Sequence, residues 1–163
     1  MDPRLSRFRL GSLLFQAKTP EDLEILIKEY GVDPNVVNDA GFSVLRTFVN
    51  TDRLDMVETL LINKTNANIR EDDGETPIFG VKSVEMIELL AKYGANLNHK
   101  DNNDNSPAHV LRKVDDSKIL AAFERLGCDM TNKNYEDMTP SQIRETVKRQ
   151  KSVCGYKKDW NCC

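Results

Sequence analysis

Aromatic residues make up only 7% of this 163-residue chain, and tryptophan occurs once. Long apolar runs are missing as well: none approaches the ~20 residues that cross a bilayer, so no membrane span is expected. Basic excess is absent, since the formal net charge is −3. A phosphate-binding protein carries a basic footprint, which argues against nucleic acid as the main ligand. Histidine is scarce, with His99 and His109 alone, and neither has a neighbouring nucleophile in sequence. Cysteine is scarce and unevenly placed: Cys128 stands alone, and Cys154, Cys162 and Cys163 crowd the C-terminus. That spacing is not a disulfide framework. Residues 1–7, Met-Asp-Pro-Arg-Leu-Ser-Arg, lack the apolar stretch of a secretory signal, so an intracellular location (cytoplasm or nucleus) is expected. Disorder throughout is not expected, because 39% of residues are hydrophobic.

What is present is a period. Ser43, Thr76, Ser106 and Thr139 recur at steps of 33, 30 and 33 residues, and Pro77, Pro107 and Pro140 follow three of them. A hydroxyl residue caps a helix and proline fits its first turn. In Asp72-Asp73-Gly74-Glu75-Thr76-Pro77-Ile78, Gly74 supplies the positive φ of a tight turn. Before the first copy, Leu10–Ala17 reads as a short helix. Thr19-Pro20-Glu21-Asp22 reads as a helix start with Thr19 as cap and Asp22 three places on, closed at Tyr30-Gly31. Each later unit gives a first helix after the turn and a second helix with apolar residues at helical spacing: Leu54, Val57, Leu60, Leu61; Met86, Ile87, Leu89, Leu90; Ile119, Leu120, Ala122, Phe123. Asp52 is expected to cap the second helix of its unit. One helical hairpin cannot bury its apolar face alone, so neighbouring units must stack.

These copies resemble the ankyrin repeat. Gly74-Glu75-Thr76-Pro77-Ile78-Phe79 is similar to the family's Gly-x-Thr-Pro-Leu-His, Asp55–Leu61 to its second helix, and Gly94-Ala95-Asn96-Leu97-Asn98 to its closing Gly-Ala-Asp/Asn-x-Asn. The resemblance implies an all-α solenoid of stacked helix-turn-helix units with projecting finger turns. It places a repeat domain over 1–150: an N-terminal cap at about 10–35, units at 36–68, 69–98 and 99–131, a C-terminal cap at 132–150, then a Cys- and Lys-containing tail at 151–163. Departures from the family pattern carry their own expectations. Unit three has lost about three residues between Thr76 and Ser83, so its first helix should be short or only a turn. Lys64-Thr65 replaces the closing Gly, so that turn should be irregular, with Asn63 in the left-handed position. His109 occupies the family's histidine position, where the resemblance implies a structural hydrogen bond. Cys128 occupies the family's alanine position, which implies a small buried residue, and His99 reads as solvated.

In function, the resemblance implies a non-enzymatic adaptor or inhibitor that binds a protein through its concave face of fingers and first helices, without a cofactor. Carried onto this chain, the contact residues are Asp39, Phe42 and Arg46, then Asp72, Asp73, Glu75 and Phe79, then Asn103 and Asp104, then Tyr135 and Glu136. The acidic fingers favour a partner with a basic patch, and a monomer is the favoured state. The short, Asn- and Lys-rich, degenerate repeats suit a viral or bacterial protein acting on host factors. The acidic runs themselves, Glu71 included, read as solvated loops; the ligand spacing of a calcium loop is absent. The C-terminal cysteines leave alternatives open. A zinc site wants two spaced pairs, a terminal Cys-Cys is similar to the lipidated end of Rab-type GTPases, and an unstructured tail needs neither.

Overall fold

The computed structural model describes residues 10–110 and 117–154. In chain order these hold helix α1 (residues 10–14), α2 (Pro20–Glu24, widening into a π-helical turn over Ile25–Glu29), α3 (Val44–Asn50), α4 (Leu54–Ile62), a 3₁₀ turn (Pro77–Gly80), α5 (Val84–Lys92), α6 (Pro107–Val110), α7 (Ser117–Arg125) and α8 (Pro140–Cys154). This is the expected all-α solenoid. Residues 1–9, 111–116 and 155–163 lie outside the described residues.

Local sequence sets the helix starts. Thr19 accepts the Asp22 N–H at 3.2 Å while the Asp22 carboxylate accepts the Thr19 N–H at 3.0 Å, a reciprocal capping box. Ser43 and Ser83 accept from Arg46 and Met86 N–H. Thr139 and Gln142 form a second reciprocal pair. In unit three the shortened segment leaves only the 3₁₀ turn Pro77–Gly80 where α3 has seven residues. Thr76 precedes that turn without capping it, and its buried Oγ1 has no partner.

Two expectations fail locally. Asp52 does not cap α4: Arg53 precedes the helix, while Asp52 adopts φ 56° and accepts a 2.6 Å hydrogen bond from Ser83 Oγ in the next unit. The turn at Lys64-Thr65 is regular. Lys64 itself takes the left-handed position (φ 65°), whereas Asn63 stays at φ −84°. The hydrogen bond from Thr65 N–H to Leu60 C=O matches those from Ala95 to Leu90 and from Cys128 to Phe123. The closing geometry is therefore imposed by the hydrogen bonds around it, even where a Cβ opposes it.

Stacking produces two rows. The outer row packs α2 on α4, α4 on α5 and α5 on α7; the inner row packs α3 on the 3₁₀ turn, that turn on α6, and α6 on α8. Between them lies one continuous core in which equivalent positions repeat: Met56, Met86 and Ile119, and Leu60, Leu90 and Phe123, are all buried. Each such side chain contributes about 1.5–3 kcal/mol by leaving water. Carboxylates and cations link the outer row on its surface, with Glu58 paired to Lys92 and Glu88 to Arg125. The last helix, α8, continues to Cys154.

Candidate functional site

Each unit projects one finger, and the four fingers share one backbone design. In 38–42, 71–75, 101–105 and 134–138 the first residue's N–H bonds to the C=O four residues on, and its C=O accepts from the residue three on. That third residue has positive φ in every finger: Gly41 (77°), Gly74 (81°), Asp104 (58°) and Asp137 (59°). In three fingers the first side chain ties the loop internally. Asn38 Oδ1 accepts from Ala40 and Phe42, Asp101 Oδ1 from Asn103 and Asn105, and Asn134 Oδ1 from Glu136 and Met138. Neighbouring fingers also bond to one another, Asn102 N–H to Asp73 C=O at 3.1 Å and Tyr135 N–H to Asn103 C=O at 3.2 Å. Among the described residues no equivalent backbone bond joins the first finger to the second.

A buried charge cluster joins them instead. Where the other fingers begin with Asn or Asp, the second begins with Glu71, whose extra methylene carries the carboxylate into the preceding unit. There Oε1 accepts from Ser43 N–H (3.0 Å) and Ser43 Oγ (2.9 Å). Arg46 lies alongside, 2.6 Å from Glu75 and 3.6 Å from Glu71, donating to Thr76 C=O and Asn50 Oδ1 as well. Glu71 Oε2 makes no hydrogen bond. Burial pushes the Glu71 carboxyl above its ordinary range, opposed by the Ser43 hydrogen bonds and the Arg46 charge.

This cluster corrects several sequence expectations. Arg46 is 8% exposed and Phe79 is 5% exposed; neither is a free contact residue. Arg46 is consumed by the junction, and Phe79 packs edge-on to His99 with ring centroids 6.2 Å apart. Glu75 turns inward to Arg46, so it is a pillar of the finger and not its tip. Glu71 is not solvated. Nor is His99, which is half-buried with Nε2 2.9 Å from Gly74 C=O. The remaining predicted residues are exposed in a row along the finger tips: Asp39, Phe42, Asp72, Asp73, Asn103, Asp104, Tyr135 and Glu136. Tyr135 is the most open, at 86%, while Phe42, at 37%, lies 6.0 Å from the Arg46 guanidinium.

A second device was not picked out from sequence. On the far side of each unit Asp33, Asn66, Asn96 and Asp129 accept from the N–H two residues on. The asparagines at that second position then reach across: Asn35 to Asn66 N–H, Asn68 to Asn96 N–H and Asn98 to Asp129 N–H, at 2.7–2.8 Å. The signal was available, because Asn35, Asn68 and Asn98 recur with the same period as the capping residues. It sets unit-to-unit spacing, so it bears on the fingers only by holding them in register.

The remaining reactive groups are structural. Ser106 N–H donates to His109 Nδ1 at 3.0 Å, leaving Nε2 to donate to Met138 C=O at 3.1 Å. The histidine thus ties the third finger to the fourth, the role the resemblance implied, and burial lowers its pKa. Cys128 donates to Leu97 C=O, and burial, with Asp129 nearby, pushes its thiol up to about 11. Among the described residues no group of three or more His, Cys, Asp or Glu is placed to hold a metal, and no helix is long and apolar enough to cross a membrane. Cys162 and Cys163 lie outside the described residues, as does the side chain of Cys154, and with them the zinc and lipid readings.

Comparison with known proteins agrees with this geometry. A family model described as ankyrin repeats, in three copies, matches residues 13–101. The chain is 28% identical over 94 residues to an ankyrin repeat-containing protein of Schizosaccharomyces pombe, covering 57% of this chain and 45% of that one. It is 27% identical over 140 residues to intracellular phospholipase A2 of Caenorhabditis elegans, covering 77% of this chain and 13% of that enzyme. It is 30% identical over 85 residues to a putative ankyrin repeat protein of Rickettsia felis, covering 49% and 28%. The chain spans less than half the length of these curated relatives.

Proposed function

The chain belongs to the ankyrin-repeat family, whose members are generally protein–protein interaction modules, and from that premise we propose that it is a non-enzymatic adaptor or inhibitor that engages one protein partner with its finger tips. The observation that carries this reading is the row of exposed side chains: Asp39, Asp72, Asp73, Asp104 and Glu136, flanked by the aromatic rings of Phe42 and Tyr135. The fingers are preorganised by their internal hydrogen bonds, so little entropy is lost when a partner docks. Five carboxylates with no ion-pair partner among the described residues favour a basic surface and a salt-sensitive on-rate. An open tyrosine ring supplies contact area at low rotamer cost.

The test is affinity capture from cells of the source organism, followed by measurement with the purified partner. Asp72→Ala/Asp73→Ala and Tyr135→Ala leave every buried hydrogen bond of the junction in place. Each should weaken binding by about tenfold or more if these groups are interface anchors. A partner whose affinity is unchanged by both variants, and by raising salt, binds elsewhere on the molecule.

A further inference from the structure

The first finger stands at one edge of the row, and its approach differs from that of the others. The residue before each later finger is a cation: Arg70, Lys100 and Lys133. Before the first finger it is Val37, which is 51% exposed. Val37 forms an isolated antiparallel bridge with Ser43. Hydrogen bonds from Asn38 N–H to Phe42 C=O and from Val44 N–H to Val36 C=O close that bridge. They use the neighbours of Val37, so its own N–H and C=O point to the opposite side. Asp39, two residues on, is the equivalent of Asn102 and Tyr135, whose N–H groups bond to the preceding finger. Among the described residues no finger precedes this one, and Val37 N–H, Val37 C=O and Asp39 N–H have no hydrogen-bond partner. Beside this edge lies a cleft of about 350 Å³, lined by Gly11 and Phe15 on one side and by Val36, Val37 and Asp39 on the other. The Asp72 carboxylate rests close against Gly41, at the turn of the same finger.

We propose that this edge captures an extended segment of the partner protein as an added antiparallel strand, with an apolar side chain in the cleft and a lysine or arginine facing Asp39. The inference rests on the reading that the fingers engage a protein with a basic surface, and it names the form that part of the partner takes. Unpartnered backbone groups along a strand edge are a template for another strand. The residue opposite Val37 exchanges both of its hydrogen bonds with it. Val37 and Asp39 share one face, ~7 Å apart, because side chains alternate along a strand. In an antiparallel pair the residue opposite Asp39 comes two before the residue opposite Val37. Cross-strand pairing therefore selects the order Lys/Arg-x-apolar in the segment. Phe15, Val36 and Val37 supply the apolar contact. A second cation further along meets Asp72. Valine at the position that is cationic elsewhere removes the charge that would repel such a segment.

Phage-displayed random heptapeptides, panned on the immobilised full chain, are the probe. The selected sequences should converge on Lys/Arg-x-apolar. A synthetic copy titrated into the isotope-labelled protein should shift the Val37 and Asp39 amides and slow their exchange with solvent. N-methylation at the apolar residue should weaken binding by about tenfold or more. N-methylation one residue earlier should change little, because alternate N–H groups point away from the edge. Val37→Lys places the cation type of the other units at an exposed position, so circular dichroism should be unchanged while the peptide binds about tenfold or more weakly. Selected sequences without that spacing overturn the proposal, and so does binding that tolerates either Val37→Lys or both N-methylations. A concentration-dependent dimer that Val37→Lys dissolves overturns it in favour of a second copy. If the peptides fail while Asp72→Ala/Asp73→Ala still weakens the whole partner, the added strand falls and the finger-tip reading stands. If the whole partner is lost on Val37→Lys but indifferent to Asp72→Ala/Asp73→Ala, the edge stands and the finger-tip reading falls.

Discussion

Replacing Arg46 by methionine is the sharpest test of how the fingers are held. Methionine keeps most of the stem's apolar volume and removes the charge. It leaves Glu71, whose side chain is 1% exposed, and Glu75, whose side chain is 15% exposed, with no cation beside them. Thr76 C=O and Asn50 Oδ1 lose their donor in the same step. Removing one partner of a buried ion pair costs about 3–5 kcal/mol, against a total stability on the order of 5–15 kcal/mol for a domain. With a urea m-value of about 2 kcal/mol/M, the midpoint should fall by about 2 M. The triple variant Arg46→Met/Glu71→Gln/Glu75→Gln should recover much of that loss, because no charge is then left buried. Urea titrations followed by circular dichroism measure both, and the cycle between single and triple variants isolates the coupling. In a solenoid this junction is one nearest-neighbour interface. Arg46→Met should therefore also split the transition, with units one and two unfolding apart from units three and four. A loss below about 1 kcal/mol, the range of an exposed ion pair, would refute the claim that Arg46 is a structural cation.

Three further outcomes follow from single sites. Lys64→Gly should raise stability by about 1 kcal/mol, because it removes a Cβ from a left-handed residue; a lower urea midpoint would show that the lysine side chain contributes more than its backbone strain costs. His109 has a pKa below its ordinary 6.5 because it is buried. The unfolded chain therefore takes up a proton that the folded chain refuses, so this contribution is present above 6.5 and is lost as pH falls below it. The stability advantage of the unaltered protein over His109→Gln should shrink from pH 7.5 to pH 5, and a constant difference would contradict that sign. Cys128, with its thiol raised to about 11, should resist alkylation at pH 8 in a protein whose other three cysteines are serine, and react promptly in urea.

Much of the fold was legible because it is written in local chemistry repeated at a fixed period. Thr19, Ser43 and Thr139 cap helices through their own hydroxyls, and Gly74 turns a finger through its own missing Cβ. The loss of three residues after Thr76 shortened a helix to one 3₁₀ turn by simple arithmetic of chain length. The finger tips were legible for the same reason, since Asp72, Asp73 and Tyr135 sit at turns that no neighbour covers. Arg46, Phe79 and Glu75 were misread because their surroundings come from the adjacent unit. Whether an arginine on a first helix faces solvent depends on which carboxylates the next finger carries inward, and Glu71 is long enough to enter only because it replaces an Asn or Asp. Asp52 and His99 were misread alike, their partners Ser83 and Gly74 lying 31 and 25 residues away.

By itself, then, the sequence determined the period, the helix starts, the turns and the identity of the exposed tips, all consequences of interactions spanning a few residues. Only the stacked structure decided which polar side chains leave the surface: Arg46, Glu71, Asp101 and His109 are buried through contacts across units or within a packed finger. The reason is physical. A hydrogen bond or ion pair gains strength only once water is excluded, and here water is excluded by the neighbouring repeat and not by the residue's own helix.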